Sequence, residues 1–488
     1  MNNRTGAKKP LQAVVLFSVL SLLPALVSIF LLPVYLKELK PEEYGLLIIL
    51  NLSGSLYSVV SIVQLNIAVT TNYFDYYEDQ NKLKKFKSSL FSVSFGIATI
   101  TLFLFILLGS FFLQPLIKSD LIDFMPLGLM VLITQYLAQL KSVYFVFVRN
   151  EYRLTEYAIY SVSLLFLNTI FQYYFIVIVK SGVFGSVSGA LISHIIVTGA
   201  LLILQRKLFD INPDLSMVKK SLRFSLPFIP IILMYWIFRT GDRFLLERLT
   251  DLATVGRYAV LIGLLLLAES VFESLGNAFR PLIFRSFNAL DSQKLYSIKQ
   301  FIMLYVKFGL FTLSGVILIG SNLNLITQNQ KYLSIIPLFT LGVVVLISKL
   351  ILRVPYLQLM YSKKTKLIAW ITFVSMMILV LCLILLIPNY GIVGALYSIG
   401  ISNVTNFLMF YYFAQRKFPL PSAFIWNAFQ IILGFMCIVG LSYLGYRIQW
   451  YSIGIYGLIQ FILVFLYLMA YAVKHSFSIK NLTTLFST

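Results

Sequence analysis

The sequence predicts an all-α polytopic membrane protein: about fourteen transmembrane helices, in two six-helix lobes followed by two C-terminal helices. Three observations carry this expectation. First, 59 % of the 488 residues are hydrophobic and only 12 % are charged, whereas roughly a quarter of a soluble chain is charged. Too little charge remains to cover a soluble globule. Second, the apolar residues gather into long continuous runs. Runs of about 20 residues cross the bilayer as helices, whereas barrel strands would alternate. Third, the loops between runs are short and leave no room for a soluble domain.

Taken in order, the first six spans are expected near 12–36, 45–70, 89–113, 121–148, 155–180 and 182–205. The next six are expected near 223–247, 254–281, 297–321, 332–360, 366–388 and 391–414, and the last two near 423–445 and 452–473. Met1 to Pro10 is basic and leads into an apolar run too long for a signal-peptide core. It reads as a cytoplasmic tail before a retained helix. With that end inside, 25 Lys and Arg fall in the inside segments and 8 in the outside segments. A bias of this sense places both termini in the cytoplasm. The same bias accounts for the net charge of +21 without a nucleic-acid partner.

Cys382 and Cys437 lie in apolar runs, and His194 and His475 are far apart. No metal-ligand spacing and no disulfide framework results, so neither a metal nor a cofactor is expected.

The chain also repeats itself. Leu39-Lys40-Pro41-Glu42-Glu43-Tyr44-Gly45, read as the turn between spans 1 and 2, is echoed from Leu249 to Tyr258, between spans 7 and 8. Gly189-Ala190-Leu191 in span 6 is echoed by Gly394-Ala395-Leu396 in span 12, and spans 1 and 7 each carry a proline pair. Two halves of six helices are expected, at 1–205 and 206–414, with 415–488 holding the remaining two spans and a cytoplasmic tail. Such repeats are frequent in transporters, where the substrate site lies at the repeat interface.

Charge inside a span is costly and normally faces a cavity or a partner. Span 7 carries Arg239, Asp242 and Arg243, and span 8 carries Glu269 and Glu273. Lys307 lies in span 9, Lys349 and Arg353 in span 10, and Lys141 in span 4. Arg239/Arg243, Glu269/Glu273 and Lys349/Arg353 are each four residues apart, which puts each pair on one helix face. Six basic side chains against three acidic favour an anionic ligand. Lys141, Arg243 and Arg353 can alternatively reach an interface along their stems. Glu269 and Glu273 are the candidates for binding a proton or sodium ion, or for holding the basic residues while substrate is absent; Asp242 is grouped with them as a coupling or gating residue. His194 reads more simply as a packing histidine than as a proton shuttle.

Pro41-Glu42-Glu43-Tyr44-Gly45, Gly241-Asp242-Arg243-Phe244-Leu245-Leu246 and Val255-Gly256-Arg257-Tyr258 resemble the corresponding segments of the O-antigen flippase type of polysaccharide transporter. That family lies within the superfamily that also holds MATE exporters and the lipid II flippase. The resemblance implies a two-lobed, non-enzymatic transporter of the bacterial inner membrane. It would turn an undecaprenyl-pyrophosphate-linked oligosaccharide from the cytoplasmic to the periplasmic leaflet, with a cationic central cavity. Its implied partners are the lipid-linked oligosaccharide, membrane lipids, a coupling H+ or Na+, and polysaccharide polymerase and chain-length proteins. The chain departs from some relatives in having no charge in span 1 before Lys37, and only Asn51, Gln64 and Asn66 in span 2. Its cationic bias therefore falls in the second half. A multidrug exporter of the same fold is the alternative, although cationic drugs would favour an acidic cavity. A membrane glycosyltransferase or polymerase would need a long outer loop or an acidic metal motif.

Overall fold

The computed structural model describes residues 31–113, 124–288, 292–450 and 452–474, except 62, 211 and 328, together with residues 20, 23 and 27. Most of the first expected span, 12–36, lies outside the described residues, as does the C-terminal tail from 475; residues 31–38 are helical. There is no strand among the described residues. Among the described residues eleven helices are long and apolar enough to cross a membrane, twelve if one bent pair counts as a single span. Large apolar side chains stand exposed along these helices, such as Leu107 (74 %), Leu385 (59 %) and Leu441 (70 %), as a hydrocarbon solvent permits. The protein is a multi-pass membrane protein.

The chain divides into two compact units, Met1–Gly256 and Arg257–Thr488. The first unit contains α1 (Pro41–Val60), α2 (Leu65–Asn72), α3 (Gln80–Leu113) and α4 (Leu129–Asn150). It continues with α5 (Leu154–Tyr173), α6 (Gly182–Leu204), α7 (Leu215–Ser225) and α8 (Phe228–Leu249). The second is built from α9 (Leu252–Asn288), whose first turn belongs to the first unit, α10 (Ser292–Ser321), α11 (Leu338–Tyr361), α12 (Thr365–Lys417), α13 (Ser422–Arg447) and α14 (Ile453–Lys474).

The segment expected as a turn after the first span is in fact the first turn of α1. Pro41 occupies a position whose missing N–H costs nothing, and the Glu43 carboxylate accepts from the Lys40 backbone N–H at 2.7 Å. Its echo begins α9 in the same way. There Asp251 caps the helix by accepting from the Thr254 N–H at 2.7 Å. The two first turns pack on each other through glycine. A Cβ on Gly45 would lie 2.0 Å from the Leu252 carbonyl oxygen, and a Cβ on Gly256 would lie 1.9 Å from that of Pro41. The contact is reciprocal.

The second echo holds in a different register. Gly182 and Gly391 both take positive φ, +56° and +52°, where the chain reverses between two spans. Three residues on, Gly185 and Gly394 abut the preceding helix, with Cβ positions 3.0 Å from the Phe175 carbonyl oxygen and 2.3 Å from that of Leu386. Gly394 therefore answers to Gly185, not to Gly189, and the repeat offset becomes 209 residues here against 211 at Gly45 and Gly256. The reversal at Gly391 also resolves α12. Its 53 residues would extend about 80 Å as one rod, so it is two spans, as expected for 366–388 and 391–414.

Two expected spans are not straight. The one at 45–70 breaks at 61–64, where Val63 (φ +51°) and Gln64 (φ +56°) both enter the left-handed region. Gln64 Nε2 donates to the Val59 carbonyl at 2.8 Å and satisfies one of the groups freed by the break. Hydropathy averaged along the run hides this. The span at 223–247 is preceded by α7, which meets α8 at a 44° bend beside Pro227. Asp214 caps α7 by accepting from the backbone N–H groups of Ser216 and Met217. Val218 is buried while Lys219 and Lys220 are exposed, the pattern of a helix lying at a membrane surface.

Candidate functional site

The charged side chains of the second unit converge along one face of α9. Glu269, Glu273, Asn277 and Arg280 recur at three- and four-residue steps, which places them on a single stripe. α11 lies beside it. Lys349, eleven residues into that 24-residue helix, donates to both carboxylate oxygens of Glu269 at 2.8 Å. Their side chains are 24 % and 13 % exposed. An ion pair this far from bulk water is costly to break from either side.

One turn further along α11 and about two along α9, Arg353 Nη2 donates to Asn277 Oδ1 at 2.7 Å, and Arg280 Nη2 donates to the same oxygen at 2.6 Å. Two guanidiniums thus meet on one neutral amide oxygen. Each has five N–H donors, and the Nε of each is buried with no acceptor among the described residues. Gly276 makes room for this arrangement, since a Cβ there would lie 2.7 Å from Arg353 Nε. Glu273 is exposed between the two clusters. The buried Tyr305 of α10 feels the charges of Arg353, Glu273 and Glu269. The geometry leaves forked donors beside a held carboxylate, which suits an anion with several oxygens.

The other expected site residues are placed differently. Lys307 faces the ring of Tyr471 on α14, 5.1 Å from its centroid. In the first unit, Arg243 turns back along its own helix. It donates to Asp242 Oδ1 at 3.0 Å and to the Arg239 carbonyl at 2.7 Å, with both side chains of the ion pair buried. Arg239 is exposed. The shared face expected for Arg239 and Arg243 is not used, because an adjacent carboxylate is nearer. Lys141 does not reach an interface: its ammonium is buried, with no hydrogen-bond partner among the described residues. The first unit also holds a cavity of about 210 Å³ whose walls are uncharged, part polar and part apolar. There Gln172 accepts from Tyr35 and Ser186 and donates to Asn168.

Asn277 and Arg280 were missing from the residues expected at the site. Both lie at the far end of the expected span 254–281, where the apolar run gives out. α9 continues to Asn288, so Arg280 lies on the helix, and its three-residue step from Asn277 was the available signal. Among the described residues no group of side chains could hold a metal ion.

A sequence profile described as "Polysaccharide biosynthesis protein" matches residues 11–287, more than half of the chain. The chain belongs to the polysaccharide biosynthesis protein family. Among solved structures it is similar to the lipid II flippase MurJ in an inward closed conformation, with a TM-score of 0.72 and 14 % identity, over 95 % of this chain and 99 % of that one. It is also similar to an inward-facing multidrug resistance MATE family transporter of the MOP superfamily, with a TM-score of 0.64 and 13 % identity, over 84 % of this chain and 98 % of that one. At these identities the likeness is one of fold, and the fold is that of MOP-superfamily transporters. No curated protein sequence matches the chain.

Proposed function

We propose that this family member is a flippase for an undecaprenyl-pyrophosphate-linked oligosaccharide, an O-antigen, capsule or exopolysaccharide repeat unit. It carries the lipid from the cytoplasmic to the periplasmic leaflet of the bacterial inner membrane by alternating access and does no chemistry on it. The observation that carries this reading is the convergence of Arg353 and Arg280 on Asn277, one turn along α11 and about two along α9 from the Lys349–Glu269 pair. A pyrophosphate offers several charged oxygens to that fork, where Asn277 offers one neutral oxygen. Binding shifts the charge balance beside Lys349 and frees Glu269 and Glu273 to take a proton or sodium ion, which resets the transporter. Repeats at 1–205 and 206–414, two further spans in 415–488 and cytoplasmic termini complete the arrangement. Polymerase and chain-length proteins act downstream of the delivered glycan.

The test is flipping of a labelled undecaprenyl-pyrophosphate oligosaccharide in proteoliposomes. Arg353→Gln and Arg280→Gln should each slow it by about tenfold or more, the effect of losing one charge-assisted hydrogen bond, with protein levels unchanged. Unchanged flipping in both variants would refute the headgroup site. Export of cationic drugs without glycan flipping would favour the multidrug exporter reading.

A further inference from the structure

The cavity of the first unit has a chemistry that the charged stripe does not share. Tyr35, in the helical residues 31–38, donates its hydroxyl hydrogen to Gln172 Oε1, and Ser186 of α6 donates to the same oxygen at 3.2 Å. Both lone pairs of that oxygen are then taken. Gln172 Nε2 donates to Asn168 Oδ1 at 2.7 Å, so the amide is held at both ends. Gly189 brings α6 onto α5 at this point, since a Cβ there would lie 2.8 Å from the Gln172 backbone nitrogen. On α4, Thr134 donates to the Met130 carbonyl at 2.8 Å. Three hydroxyls of the wall have thus given away their single hydrogen. Each keeps lone pairs that only a donor can use.

The rest of the wall is largely apolar. It includes Leu47, Val131, Val187 and Ala190, and the rings of Tyr35 and Tyr44, 6.0 Å apart and tilted by 39°. No charged side chain lines the cavity among the described residues. Asn51 is the exposed member of the wall, ten residues after the start of α1 and so about 15 Å along the span. An exposed carboxamide at that depth faces water rather than hydrocarbon, and it marks the mouth.

The volume of about 210 Å³ equals about seven water molecules at ~30 Å³ each. Water suits this wall badly. A buried water makes about three hydrogen bonds, and the aliphatic side offers none. Replacing such water with an apolar surface is favourable. The occupant that fits brings donors on one side and C–H groups on the other, and it carries no charge. It is also small, because pockets for drug-sized ligands begin near about 300 Å³. A single pyranose ring meets all of these conditions.

We propose that this cavity is a binding site for one neutral sugar ring. The ring's hydroxyls donate to Tyr35, Ser186 and Thr134, and its C–H face lies on the aliphatic wall. On the flippase reading, on which this assignment of the ring rests, it is one residue of the lipid-linked glycan. The two units then recognise different parts of one substrate: forked cations in the second take the headgroup, and neutral acceptors in the first take a sugar. A site built to hydrogen-bond a hydroxyl rejects a ring that lacks it, because a wall oxygen is left unpaired. The cavity therefore sets which glycans are carried.

The test is saturation-transfer NMR on the purified protein in nanodiscs, with glucose, galactose, N-acetylglucosamine and glucuronate as probes. At least one of the three neutral sugars should receive saturation, and glucuronate should receive less, because no cation on the wall offsets its charge. Thr134→Val removes one acceptor at nearly constant shape and should weaken neutral-sugar binding about threefold to tenfold, the range of one neutral hydrogen bond. Ala190→Phe fills the cavity and should abolish the signal; should that variant fail to fold, Thr134→Val decides alone. No transfer to any neutral sugar in wild type means that the cavity holds water only, and overturns the proposal. So does binding that Thr134→Val leaves unchanged, or transfer to glucuronate equal to that of the neutral sugars. The proteoliposome assay separates the two readings. Flipping by wild type without sugar transfer overturns the cavity site alone, and sugar transfer without flipping overturns the flippase alone.

Discussion

Lys349 and Lys141 both lie near the middle of a span, and their surroundings are opposite. Lys349 has a carboxylate gripping it through two 2.8 Å hydrogen bonds. Lys141 has no acceptor among the described residues. The difference teaches that burial alone does not decide what a membrane lysine does. A paired ammonium keeps its charge and can lend it to a ligand that displaces the carboxylate. An unpaired one is a standing cost in the charged form.

The sharpest way to break the comparison is to take the partner from Lys349. Glu269→Gln should destabilise the protein by about 3 kcal/mol, the lower end for a broken buried pair because both groups retain some solvent. Thermal unfolding in nanodiscs measures it, and the double variant Glu269→Gln/Lys349→Met should recover most of the loss. If the single variant unfolds like wild type, Lys349 is solvated and the contrast with Lys141 disappears.

The next effect should have the opposite sign. Lys141→Met removes a buried polar group that has no partner and should stabilise by about 1 kcal/mol in the same assay. A loss of stability would mean that Lys141 has a partner and belongs with Lys349.

The smallest effect belongs to a reference pair at the surface. Lys85 and Asp210 are also 2.8 Å apart, but their side chains are 42 % and 21 % exposed. Lys85, helped by the Asn212 N–H and Ser88, holds the Asp210 carboxyl below the usual carboxylate range. A lowered folded value stabilises above the unfolded value, near 4, and the contribution is lost as pH falls through the folded value. Asp210→Asn should therefore flatten the acid limb of the stability curve, and salt at neutral pH should imitate the substitution. If salt affects the Lys349 pair equally, that pair is no more enclosed than this one.

The helices and their apolar surfaces were legible because continuous hydrophobic runs dictate them. The basic excess in spans 9 and 10 was legible because charge in an apolar run stands out. Three things were not. The break at Val63 and Gln64 is a dihedral event inside an apolar run. Arg280 sits at the last turn of the expected span, where a basic residue reads as an end marker, whereas α9 runs on to Asn288 and carries it onto the charged stripe. Spacing put Arg239 and Arg243 on one face, but spacing does not report that Asp242 lies within reach of Arg243. The glycine echo was legible in kind but not in register, since Gly-Ala-Leu is common in apolar sequence while a positive φ is not.

The reciprocal packing of Gly45 and Gly256 makes this crossing intolerant of even one added methyl group. A Cβ at either glycine would meet a backbone carbonyl of the other helix's first turn, and a carbonyl cannot step aside as a flexible side chain can. The helices themselves would have to part, and with them the ends of α1 and α9 that Glu43 and Asp251 cap.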